Sequence, residues 1–199
     1  PGPAFYMDKL VVGPDARGAL DPDAPLAERL ESLAQAKGKA VSDLLIYILE
    51  RPRNAAMIQG ILDAGARVSL NSGGDVLGAM LALLDGQDVD ALMGIGGTPE
   101  GVIAAVAAKA LGGDCFGRLA PQVPEEIAAV QAAGMDCQRW MGLNDLVAGE
   151  RLQFCLTGLT DGLILQAPLS DSRAWVTDSL LIEGPSGQLH RLQSEIPVS

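Results

Sequence analysis

Histidine, cysteine and basic residues are all in short supply in this chain, and each shortage closes off a class of function. One histidine, His190, and three cysteines, Cys115, Cys137 and Cys155, stand in 199 residues. The cysteines are odd in number and lack CxxC spacing, so neither a zinc site nor a disulfide framework is expected, and reduced cysteines in a cytoplasmic chain are the remaining reading. His190 has no acid or nucleophile motif beside it and reads as a surface residue rather than a catalyst. Lysine and arginine number 14 against 25 aspartates and glutamates, a net charge of −11. That balance argues against nucleic acid and against an anionic membrane surface, both of which select basic patches. No uninterrupted apolar run reaches the ~18 residues of a membrane span. The opening PGPAFYMDKL has neither an initiating methionine nor a basic n-region, so no signal peptide is expected in it, and it reads as the middle of a longer protein. There are no internal repeats or low-complexity tails.

What is present is a globular composition, 48% apolar and 20% charged. The length suits one generous domain or two small ones, able to bury about 70% of the extended surface. The stretch 88–113, DVDALMGIGGTPEGVIAAVAAKALGG, organises the rest. Its first part predicts a short buried strand over 89–93, broken by Gly94, Gly96 and Gly97. A helix follows, with Thr98 as N-cap, Pro99 in the first turn, alanine-rich turns over 101–111, and Gly112 and Gly113 as the stop. Strand, glycine turn and helix N-terminus form a place for an anion, because free backbone N–H groups and the positive helix end favour phosphate. Glu100 is either a carboxylate that complements the helix end or, beside a phosphate, an oxygen ligand for Mg²⁺ or Mn²⁺. The dinucleotide fingerprint fails because Pro99 stands where its third glycine is required, and the P-loop fails for want of its Gly-Lys-Ser/Thr.

Upstream, 6–12 predicts a strand with Tyr6, Asp8 and Lys9 near one end. An amphipathic helix is expected over 22–37, where Leu26, Leu30 and Leu33 share a face. Residues 44–49, LLIYIL, predict a fully buried parallel strand ending in Glu50, Arg51, Pro52, Arg53 and Asn54. Two arginines around a proline beyond a strand C-terminus offer fork donors to a phosphate, or else merely solubilise a loop. A helix over 54–64 and a strand over 67–70 lead to NSGGDV, whose Asp75 reads as a ligand acceptor or as the cap of a helix reaching Leu84. Strands alternating with helices predict an α/β fold, a layered αβα arrangement with a mostly parallel sheet. Right-handed crossovers then bring Arg51, Arg53, Asp75, Gly97 and Glu100 toward one crevice. Beyond Gly113 the expectations are a helix over 124–133, a turn or helix over 144–150, and a strand over 153–157. Last comes a hairpin of 179–183 with 188–193, carrying His190 on its second strand.

GIGGTPEG with its alanine-rich helix and Leu-Gly-Gly end resembles the class II fructose-1,6-bisphosphatase family. YMDKLVVGP (6–14), ILERPRN (48–54) and GGDV (73–76) continue the resemblance in order, so four motifs cover the first ~120 residues. The resemblance implies a sugar-phosphatase-like fold and hydrolysis of the 1-phosphate of fructose 1,6-bisphosphate, in some members also of sedoheptulose 1,7-bisphosphate, in gluconeogenesis or related sugar-phosphate metabolism. It implies Mn²⁺ or Mg²⁺ as cofactor with Glu100 as a catalytic metal ligand, and a homo-oligomer as the full-length protein. Substrate contacts fall by resemblance on Tyr6, on Arg51, Pro52 and Arg53, on Gly73, Gly74 and Asp75, and on Gly97. Asp75 would meet sugar hydroxyls, but the family commonly has Asp-Gly-Asp where Gly73-Gly74-Asp75 stands, so Gly73 offers backbone only. Family members are longer, and the chain corresponds to their C-terminal portion, leaving the other acidic ligands outside it. A non-catalytic sugar-phosphate-binding or regulatory module is the alternative, with Glu100 reduced to its helix-end role.

Overall fold

The computed structural model describes residues 3–170 and 173–197. β1 (Tyr6–Val12) leads through turns to α1 (Leu26–Lys37), then β2 (Leu45–Leu49), α2 (Ala55–Asp63), β3 (Arg67–Asn71) and α3 (Asp75–Leu83). β4 (Ala91–Gly97), α4 (Thr98–Leu111) and β5 (Asp114–Leu119) complete one unit of alternating elements. α5 (Pro124–Ala132) and a short α6 (Leu143–Leu146) precede β6 (Leu152–Thr157), β7 (Leu169–Ser170), β8 (Ala174–Gly184) and β9 (Gln188–Pro197).

The first sheet has the order β3-β2-β4-β1-β5. β2 pairs in parallel with both β3 and β4, as the alternating pattern predicts. β1 sits antiparallel between β4 and β5, so the sheet as a whole is mixed. Strand periodicity divides its side chains between two layers. Leu10, Val12, Ile46, Ile48, Ala91 and Met93 pack with Leu30 and Leu33 of α1 and Ile61 of α2. Val11, Tyr47, Leu49 and Leu92 pack instead with α3 and the alanine face of α4. Each fully buried leucine or isoleucine contributes roughly 1.5–3 kcal/mol, and this two-sided burial gives the αβα layering its stability.

In the second sheet β8 pairs antiparallel with β6, β7 and β9, and β8 with β9 forms the expected hairpin. Its Phe154 and Ile182 enter the core of α3 and α4, so the second sheet lies against α4. His190 is half-buried on β9. All three cysteines are free, and burial pushes the Cys115 thiol up to about 12. Among the described residues no helix is long and apolar enough to cross a membrane.

Several boundaries differ from expectation for physical reasons. The first helix begins at Leu26 rather than Pro22, because residues preceding Pro22 and Pro25 are biased away from helical backbone. Thr98 is the first helical residue, its Oγ1 donating to Ala4 O at 3.1 Å, and Gly97 takes the N-cap position. β5 went unassigned in the sequence. Its Gly117 is glycine because a Cβ there would lie 2.5 Å from Met7 Sδ.

Candidate active site

β2 stands between β3 and β4, and the chain leaves it through α2 on one face and reaches β4 through α3 on the other. In an open α/β sheet that reversal leaves a crevice beyond the strand ends, and three helix N-termini border this one. β2 and β4 pair only at Ile46 with Ala91 and Tyr47 with Leu92, and then separate. Buried Asn54 fills the split. Its Nδ2 donates to Leu49 O at 2.9 Å and Ile95 O at 3.2 Å, while Ile95 N donates to its Oδ1 at 2.7 Å.

The glycine run is where the structure departs most from the sequence reading. β4 does not stop at Met93. It runs straight through to Gly97, with Lys9 opposite Gly94, Met7 opposite Gly96 and Tyr6 opposite Gly97 on β1. The glycines are needed for space rather than for a turn. A Cβ at Gly96 would lie 1.9 Å from Asp75 Oδ2, and one at Gly97 would lie 1.9 Å from Glu100 Oε2. Gly94 has φ +118°, a conformation that side chains resist.

A cleft of about 440 Å³ results, lined by Tyr6, Arg51, Arg53, Asp75, Gly97 and Glu100, with Gly74 at the start of α3. All five residues expected to converge do so. Arg53 Nε donates to Ile95 O at 3.0 Å, and its guanidinium lies 4.2 Å from the centre of the Tyr6 ring. That leaves both terminal nitrogens for an anion. Arg51 is exposed and donates to Ser72 O, tying the end of β2 to the loop after β3. Pro52 and Gly73 do not line the cleft. Pro52 opens an exposed turn, and Gly73 offers its carbonyl to the Tyr47 hydroxyl at 2.9 Å.

Asp75 is buried and makes no helix-capping bond; it accepts from the Lys9 ammonium, whose side chain is wholly enclosed. Lys9 Nζ also donates to Gly97 O at 3.0 Å. Burial pulls the Lys9 ammonium below its ordinary pKa, opposed by Asp75 and more weakly by Glu100. Glu100 is exposed, with no hydrogen-bond partner among the described residues. Among the same residues no group of three or more His, Cys, Asp or Glu side chains could hold a metal ion.

Lys9, Tyr47 and Asn54 do not line the cleft but are buried residues that hold its lining in place, and sequence reasoning does not assign them to the site. In the sequence Lys9 stands with Tyr6 and Asp8 near a strand end, Tyr47 falls inside a buried strand, and Asn54 opens a helix. Strand alternation is the signal that separates Lys9 from Asp8. Asp8 faces the other side, paired with Arg118 at 3.0 Å beneath a hollow of about 600 Å³.

Fold and cleft together define an α/β protein with an arginine-lined crevice at the reversal point of its sheet. A family model described as bacterial fructose-1,6-bisphosphatase, glpX-encoded, matches residues 1–196, and the chain belongs to that family. It is 38% identical to fructose-1,6-bisphosphatase class 2 of Haemophilus influenzae, over 96% of this chain and 62% of that protein. It is 36% identical to fructose-1,6-bisphosphatase 1 class 2 of Escherichia coli K12, over 96% of this chain and 61% of that protein. The chain thus spans about three fifths of the length of these curated relatives.

Proposed function

We propose that the chain supplies the substrate-binding loops and one metal ligand of an enzyme that hydrolyses the 1-phosphate of fructose 1,6-bisphosphate. The observation that carries this reading is the convergence of Arg51, Arg53 and three helix N-termini on one cleft whose rim holds the unpartnered Glu100 carboxylate. Arg53, steadied by Tyr6 and Ile95 O, and Arg51 hold the remote 6-phosphate. Tyr6 and Asp75 meet sugar hydroxyls, and the Gly97 backbone passes close to the sugar because no side chain stands there. Binding energy from the remote phosphate then positions the reacting one. Sedoheptulose 1,7-bisphosphate, one carbon longer between its phosphates, suits the same arrangement.

The donor chemistry fits a hard divalent cation in part. Glu100 is an accessible oxygen donor beside an anion site, and it would hold one coordination position of Mn²⁺ or Mg²⁺. When bound, such an ion supplies charge neutralisation at the reacting phosphoryl group and an acidified water. One carboxylate is too few for that task, since Mg²⁺ gives up water reluctantly. The remaining ligands come, in this reading, from the part of the family's length that the chain does not span.

Fusing the 199 residues to the remaining portion of a curated relative, or mixing the two, tests the proposal. Metal-dependent release of phosphate from fructose 1,6-bisphosphate is expected only when both parts are present, and Glu100→Gln in that assembly lowers kcat and raises the Mn²⁺ requirement. Robust metal-dependent hydrolysis by the chain alone would overturn the shared site. Binding without hydrolysis in the assembly would favour a non-catalytic sugar-phosphate module instead.

A further inference from the structure

We infer that the buried Lys9 ammonium divides the cleft's two carboxylates between two tasks, holding Asp75 as an acceptor for ligand hydroxyls and leaving Glu100 alone to face a divalent cation. The inference rests on the phosphatase reading and deepens it. Asp75 and Glu100 lie against consecutive residues of β4, at the Cβ positions that Gly96 and Gly97 leave vacant. Lys9 joins both places, donating to Asp75 Oδ2 and to the carbonyl of Gly97. Room for it is built in. A Cβ at Gly96 would come within 2.7 Å of Lys9 Nζ, and one at Gly101 within 3.1 Å of Lys9 Cδ.

The consequence is electrostatic. Two carboxylates in one cleft both attract a hard cation, and Asp75 with two free oxygens would compete with Glu100 for it. An ammonium in contact with Asp75 offsets that attraction, and the Lys9 side chain is fully enclosed beside it. Oδ1 of Asp75 has no hydrogen-bond partner among the described residues, so it remains for a neutral donor such as a hydroxyl. Burial holds the Lys9 pKa below its usual value, while the two neighbouring carboxylates favour the charged form.

Lys9→Gln is the test, because it keeps an amide donor for Asp75 and Gly97 O but removes the charge. Mn²⁺ affinity of the 199-residue chain is followed by the electron paramagnetic resonance of free Mn²⁺ and by thermal shift. Mn²⁺ should bind Lys9→Gln at least about tenfold more tightly than the wild type, as removal of a unit charge at contact distance requires. The gain should vanish in the Lys9→Gln/Asp75→Asn double variant. Fructose 1,6-bisphosphate affinity should move the opposite way, which general loosening of the fold would not produce. Should Lys9→Gln be unfolded without metal, Mn²⁺ is expected to restore its folding, and failure to restore it overturns the inference. So does a Mn²⁺ affinity equal to wild type, or a gain that survives Asp75→Asn. Absence of hydrolysis in the fused assembly, with the Asp75-dependent Mn²⁺ gain intact, would instead remove the phosphatase reading and leave the charge division standing.

Discussion

Arg53 and Arg51 flank one proline but are held differently, and that difference separates their effects. Arg53 is half-buried, fixed by Ile95 O and by the Tyr6 ring, so its free nitrogens are pre-oriented. Arg51 is exposed, and its terminal nitrogens already meet Ser72 O and, at 3.4 Å, Glu50 O. A charge-assisted pair to phosphate is worth roughly 1.5–3 kcal/mol, about ten- to a hundredfold in binding. Arg53→Ala in the fused assembly should therefore raise KM for fructose 1,6-bisphosphate by about that factor, and Arg51→Ala by less. Neither should affect p-nitrophenyl phosphate, which has no remote phosphate. Arg53→Lys should restore little, because a point charge neither forks nor stacks as guanidinium does. Equal losses on both substrates would place the arginines at the reacting phosphate or in folding.

Among the elements, β2, β3, α2, α3 and α4 were legible in the sequence because apolar runs and proline or glycine punctuation mark them directly. Convergence of Arg51, Arg53, Asp75 and Glu100 followed from the handedness of crossovers, which needs no side-chain detail. What stayed hidden depends on contacts far apart in sequence. Gly94, Gly96 and Gly97 read as a turn because glycine weakens a strand interior, and only the facing residues, Asn54 and Ile48 at Gly94, Asp75 and Lys9 at Gly96, and Glu100 at Gly97, explain why the strand tolerates them. Lys9, in the middle of an otherwise largely apolar strand, gives no hint that its partner is 66 residues away. Gly96→Ala, a trivial change in most strands, should therefore cost about 1–3 kcal/mol by overpacking. The added methyl would lie 1.9 Å from Asp75 Oδ2, so the ion pair must move. Chemical denaturation of Gly96→Ala and of Gly142→Ala, where a Cβ meets nothing within 4 Å, makes the comparison. Equal midpoints would show that the pair is not packed against β4 as described.

Across the whole molecule, two sheets are joined through α4, and their stabilities should be coupled. The second sheet brings its own charge pair to the cooperative unit. Asp178 accepts from Arg191 Nε at 2.9 Å and from the terminal guanidinium nitrogen at 2.6 Å, and also from Gln166 N at 3.0 Å. Arg191 foremost, then the Gln166 N–H, holds the Asp178 carboxyl below its ordinary pKa of 3.8. A depressed carboxylate stabilises the fold above its unfolded pKa, and that contribution is lost as pH falls through the folded value. The melting temperature should thus drop as pH is lowered past the ordinary aspartate range, with a smaller drop in Asp178→Asn. Phe154 probes the junction itself. It is 5% exposed on β6 yet shares its core with Met80, Leu83, Ala104 and Ala108 of α3 and α4. Removing a buried phenylalanine ring costs about 3–5 kcal/mol. If the sheets unfold together, Phe154→Ala shifts a single transition seen equally by far-ultraviolet circular dichroism and by hydrogen exchange in β1 and β8. If protection is lost in β8 while β1 stays protected, the second sheet is an independent unit resting on α4, and the shared core does not couple them.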